Sequence, residues 1–93
     1  MQITFTGHHL DITPPLKDFT IKKLDRLERH FSDVLSIAIT FKVENLDQIA
    51  EATVHVPGTQ IHAREKTDDM YSAVDGLVDK LMRLLREHKE KMH

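Results

Sequence analysis

Two hydrophobic periods alternate along this chain. Met1–Thr6 has a period of two, with Ile3 and Phe5 on one side and Thr4 and Thr6 on the other, which predicts a short half-buried strand that Gly7 ends. Thr13-Pro14-Pro15 is a helix start: Thr13 can cap, and proline is tolerated in a first turn whose N–H groups have no intrahelical partner. The period then becomes helical to about His30, with Leu16, Thr20, Leu24, Leu27 and Phe31 on one side and Phe19 flanking them. Val34–Glu44 returns to strict alternation, Leu35, Ile37, Ile39, Phe41 and Val43 against Ser36, Ala38, Thr40 and Lys42, and its β-branched residues favour a pleated strand. Asn45-Leu46-Asp47 reads as a turn, Glu51–Val56 as a third strand, and Pro57-Gly58-Thr59 as a tight hairpin leading to a fourth strand through Ile61 and Ala63. Thr67-Asp68-Asp69 puts acids at the positive end of a last helix, whose apolar stripe is Met70, Val74, Leu77, Leu81, Leu84 and Leu85.

The predicted order is β-α-β-β-β-α. The first helix is long enough to be a right-handed crossover between parallel strands, and the next two strands follow as antiparallel hairpins. Each helix has one apolar stripe and the sheet one apolar face, so both helices should cover the same side. The expected fold is an α+β two-layer sandwich with a four-stranded mixed sheet. Its open face would show Thr4, Thr40, Lys42, Thr53, His55, His62 and Arg64.

Composition narrows the picture further. Ninety-three residues, 40% of them apolar, are expected to form a single domain spanning 1–93. There is no cysteine, so disulfides, thiolate nucleophiles and Cys-based zinc sites are excluded. The first residues lack a basic segment followed by an apolar one, and no apolar run is long enough to span a bilayer, so a cytoplasmic protein is expected.

Charge is unevenly placed. The formal net charge is −2, yet residues 16–30 carry Lys17, Lys22, Lys23, Arg26 and Arg29 against three acids, and residues 80–93 carry Lys80, Arg83, Arg86, Lys89 and Lys91 against Glu87 and Glu90. Lys22, Arg26 and Arg29 lie opposite the core stripe of the first helix, with Lys23 on its shoulder. Lys80, Arg83 and Lys91 do the same on the second, with Arg86 nearby. If the helices lie side by side, these stripes can merge into a cationic ridge that contacts phosphates without reading sequence. The bland alternative is two solvated helix faces with cations at the negative helix ends; segregation of charge into both helices favours nucleic acid.

Other chemistry is sparse. Centring the last hairpin on Gly58-Thr59 sets His55 opposite His62, but zinc usually takes three or four protein ligands and no third is evident, so a surface pair with no metal is expected. Asp68-Asp69 reads as a cap, and Asp75 and Asp79 as solvent-facing or locally paired. No phosphate loop, nucleophile elbow or HExxH motif is present. Tyr71 reads as a boundary packing residue rather than a base-stacking platform. These features indicate a binder without cofactor, not an enzyme.

The residues also add up to a resemblance. Asp69-Met70-Tyr71-Ser72-Ala73-Val74-Asp75 followed by Leu77-Val78-Asp79-Lys80-Leu81 and Arg83-Leu84-Leu85, together with Ile3-Thr4-Phe5-Thr6-Gly7, Asp11-Ile12-Thr13-Pro14 and Ala52-Thr53-Val54-His55-Val56, is similar to the signature of the ribosome hibernation factors, the family of ribosome-associated inhibitors and sigma-54 modulation proteins. The resemblance covers nearly the whole chain. It implies a fold like a double-stranded-RNA-binding domain and binding to the small ribosomal subunit through 16S rRNA, in the mRNA and tRNA channel near the decoding centre. Translation would be silenced in stationary phase. Lys23, Arg26, Arg29, Lys80, Arg83 and Lys89 match the family's RNA-facing pattern, and helix geometry adds Lys22 and Arg86. The chain ends just after the second helix and so resembles the short form, without a C-terminal dimerisation domain. That form implies promotion of 100S ribosome dimers alongside a separate ribosome modulation factor, with the protein itself a monomer off the ribosome. A stand-alone double-stranded-RNA binder and a protein-binding regulator of an alternative sigma factor are the alternatives.

Overall fold

The computed structural model describes residues 1–91. The strands are β1 (Gln2–His8), β2 (Ser36–Glu44), β3 (Asp47–Val56) and β4 (Thr59–Thr67), and the helices are α1 (Pro14–His30) and α2 (Met70–Lys91), in the order β1-α1-β2-β3-β4-α2. The sheet runs β1-β2-β3-β4, with β1 and β2 parallel and the other pairs antiparallel. This is the predicted two-layer mixed-sheet sandwich. Its core combines Leu16, Leu24 and Leu27 of α1, Ile37, Ile39, Phe41, Ala52 and Val54 of the sheet, and Val74, Leu77, Leu81 and Leu85 of α2, so both helices pack on one face.

Both helix starts form as their sequences dictate. The Thr13 hydroxyl accepts the Leu16 N–H at 3.4 Å, with Pro14 and Pro15 in the first turn. Asp69 caps α2, its carboxylate accepting the Ser72 N–H at 2.9 Å and the Ser72 hydroxyl at 3.0 Å. The one buried polar side chain among the described residues, Thr20, donates to the Leu16 carbonyl at 2.8 Å.

Four local expectations are corrected. β1 does not stop at Gly7 but runs to His8, with Gly7 opposite Phe41; the chain turns back through His9 (φ 64°), and the Leu10 carbonyl occupies the place a Cβ on residue 7 would take. Leu35 is 60% exposed instead of facing the core, because Phe31 and Val34, joined by a Val34 N–H to Phe31 carbonyl bond of 3.3 Å, are buried in its stead. β3 starts at Asp47, not Glu51. Its first residues show no alternation because Ile49 and Ala50 are both fully buried. Ile49 lies on the helix-free side, in register with Lys42 and Lys66, whose alkyl stems can cover it. Leu84 is only partly buried, whereas Ala73, Val78 and Met82 join the buried face of α2, which packs against the sheet and α1 together.

Hairpin register supplies a fifth correction. Val56 pairs with Thr59, so the loop is Pro57-Gly58 rather than Gly58-Thr59. Proline sets the first turn position and Gly58, at φ 85°, supplies the positive φ that the second requires. His55 therefore faces Gln60, and His62 faces Thr53, whose hydroxyl lies 3.1 Å from His62 Nδ1. The two histidines are diagonal rather than opposite.

Candidate nucleic-acid interface

The helices run parallel, side by side. Phe19 meets Tyr71 edge to face at 5.0 Å, Lys23 reaches Asp75 at 2.9 Å, and Arg26 reaches Asp79 at 3.5 Å. Successive residues of α1 thus face residues 52 or 53 positions later in the chain, and the seam is one aromatic rung followed by two ionic ones. Tyr71, 39% exposed, is the boundary residue expected of it. Lys23 also lies over the Phe19 ring, 5.3 Å from its centroid.

This seam changes the cationic ridge. Asp75 and Asp79 are exposed, as expected, but they bridge between helices rather than pairing locally, and they neutralise Lys23 and Arg26 where the two stripes would have merged. Arg29 pairs with Asp25 one turn earlier at 3.4 Å. Lys80 turns toward the sheet, donating to the Arg64 carbonyl at 2.8 Å and lying 3.4 Å from the Glu65 carboxylate. The eight candidate RNA contacts therefore divide in half. Lys23, Arg26, Arg29 and Lys80 have acidic partners; among the described residues Lys22, Arg83, Arg86 and Lys89 form no ion pair, and all four are exposed.

Arg83, Arg86 and Lys89 are grouped because α2 has 22 residues and α1 only 17. Beyond the Arg26–Asp79 rung α1 ends after about one turn, and α2 continues with its cations unmatched by a facing helix. Both helix C-termini, with Arg29, His30, His88, Lys89 and Lys91 in their last turns, lie toward the same end of the molecule. The helix dipoles favour cations there. The candidate interface is thus the C-terminal half of α2 with the end of α1 beside it.

Sequence reasoning missed the interhelical pairing of Asp75 and Asp79 and the place of one glycine. The spacing of Asp75 and Asp79 matches that of Lys23 and Arg26 to within one residue, a signal that acquires meaning only once the helices are known to be parallel. Gly76, in the middle of a helix, carries no signal of its role in the sequence; the Glu65 side chain fills the space where its Cβ would be.

The family model described as sigma 54 modulation protein / S30EA ribosomal protein matches residues 3–93. The chain belongs to this family. It is 47% identical over 92 residues to the ribosome hibernation promoting factor of Klebsiella oxytoca, covering 99% of this chain and 97% of that one. It is 41% identical over 92 residues to the ribosome hibernation promoting factor of Escherichia coli K12, with the same coverage. Among solved structures, a ribosomal subunit interface protein from Coxiella burnetii matches with TM-score 0.93 and 39% identity, over 97% of this chain and 99% of that one. The N-terminal domain of Thermus thermophilus Protein Y matches with TM-score 0.87 and 30% identity, over 95% and 99% of the two chains. The family assignment makes this chain a binding protein and not an enzyme.

Proposed function

We propose that this protein is a ribosome hibernation factor that binds 16S rRNA of the small subunit in the mRNA and tRNA channel, near the decoding centre. It acts in the cytoplasm by occlusion: a rigid wedge fills space that translation needs, and no bond is made or broken. In stationary phase this silences the ribosome and favours 100S dimers, alongside a separate ribosome modulation factor, and the protein off the ribosome is a monomer. The observation that carries the RNA-facing part is the run of exposed cations Arg83, Arg86 and Lys89, which form no ion pair among the described residues, on an otherwise acidic protein. Lys22 extends the same chemistry onto α1. Lys23, Arg26, Arg29 and Lys80 contribute to the extent that phosphate replaces their acidic partners.

Co-sedimentation with separated 30S and 50S subunits across a salt series tests this reading. The expected result is saturable binding to 30S alone, near one copy per subunit, with a log–log salt slope on the order of −3 to −4 for four phosphate contacts. Equal affinity for plain duplex RNA would replace it with a stand-alone duplex binder. Salt-insensitive binding to a polymerase component, with nothing on 30S, would replace it with a sigma-factor regulator.

A further inference from the structure

β4 is an edge strand, and its free edge is blocked from within at two adjacent backbone groups toward its C-terminal end. The two-residue hairpin makes Val56–Thr59 a hydrogen-bonded pair, so the alternation along β4 turns the N–H and C=O groups of His62, Arg64 and Lys66 away from β3. A strand docking on this edge would use the Arg64 carbonyl and the Lys66 N–H. Both are occupied. Lys80 Nζ, from α2, donates to the Arg64 carbonyl at 2.8 Å, and the Lys66 N–H donates to Glu65 Oε1 at 3.2 Å. The same Glu65 oxygen lies 3.4 Å from Lys80 Nζ, which ties the two stoppers together. Gly76, one turn before Lys80 on α2, leaves the notch in which the Glu65 carboxylate rests.

Charge on the edge itself does not protect it. Edge strands are commonly guarded by unpaired lysines, but Arg64 is 3.6 Å from Glu51 and Lys66 is 3.7 Å from Asp47. With those charges neutralised, a second copy of β4 would meet little repulsion. We infer that Glu65, Lys80 and Gly76 form a latch that closes the β4 edge against pairing with β4 of a second copy, and that Lys80 is primarily a positioning residue of this latch. The mid-helix glycine, unfavourable relative to alanine, then has a reason to be there.

The test is sedimentation of Glu65→Met, Lys80→Met, Gly76→Ala and the Glu65→Met/Lys80→Met double variant over a concentration series in which the wild type is monomeric, with Arg83→Met as control. Each latch variant should double in apparent mass, the double variant should associate no more strongly than the stronger single, and the control should stay monomeric. Glu65→Met keeps the length of a half-buried edge-strand side chain and Gly76→Ala improves helix propensity, so loss of folding will not obscure the result. Adding Lys66→Pro to Lys80→Met should restore the monomer, because proline removes an outward N–H that β3 does not use. In the monomeric range, Lys66 amide exchange should be about fivefold faster in Glu65→Met, which has no oxygen to accept the Lys66 N–H; that is the factor expected for losing one net hydrogen bond. Latch variants that remain monomeric, or a dimer that survives Lys66→Pro, overturn the inference. None of these readouts depends on ribosome binding.

Discussion

At the scale of single residues, geometry separates side chains that look alike in the sequence. Asp69 and Thr13 both cap helices, but Asp69 makes two bonds of 2.9 and 3.0 Å whereas Thr13 makes one of 3.4 Å. Asp69→Ala should therefore cost about 1 to 2 kcal/mol and Thr13→Ala nearer 0.5, read as denaturant midpoints at constant slope. Leu46, 87% exposed at a hairpin tip, and Leu81, fully buried, are both leucines. Leu81→Ala should lose about 2 to 5 kcal/mol, and Leu46→Ser should stay within about 0.5 kcal/mol of the wild type. Similarly, Arg83 and Lys80 are both basic residues of α2, yet only Arg83 lacks an acidic partner among the described residues. If the function proposed above holds, Arg83→Met should reduce the magnitude of the 30S salt slope by about 1, and Lys80→Met should change it by clearly less.

At the scale of elements, the seam between the helices decides how much positive charge is available. The carboxylates of Asp75 and Asp79 and the cations opposite them are substantially exposed, so each rung contributes at most about 1 kcal/mol to stability. Their larger effect is on charge. Asp75→Asn with Asp79→Asn should leave the melting temperature within a few degrees while releasing Lys23 and Arg26. On the proposed function, 30S binding then strengthens and its salt slope steepens by up to about 2. An unchanged slope would show that Lys23 and Arg26 do not reach RNA.

The elements themselves were largely legible. Strict alternation in Ile37, Ile39 and Phe41 and the helical stripe of Leu16, Leu24 and Leu27 each correspond to a one-sided burial, and the structure buries those residues. Legibility failed where burial is not one-sided, as at Ile49-Ala50, and where a neighbouring loop takes a residue's place, as Phe31 and Val34 take that of Leu35. It failed again in the hairpin, where moving the turn by one residue changed the partners of His55 and His62.

On the scale of the whole molecule, the chain is elongated, with principal extents of 43 × 21 × 18 Å. The described helices include none long and apolar enough to cross a membrane. The 22 residues of α2 span about 33 Å. On the function proposed above, this long helix, with cations that form no ion pair among the described residues in its C-terminal half, is the part that would enter the phosphate-lined channel. The sequence by itself determined the order of elements, their caps, the shared buried face and the segregation of cations into two helices, because each depends on neighbours within a few positions. Only the tertiary structure decided which cations remain bare. That outcome depends on Lys23 meeting Asp75, Arg26 meeting Asp79 and Lys80 meeting Glu65. Such pairings are set by how two helices and an edge strand pack, and Coulomb attraction over a few ångströms acts on the neighbours that packing supplies, however distant they are along the chain.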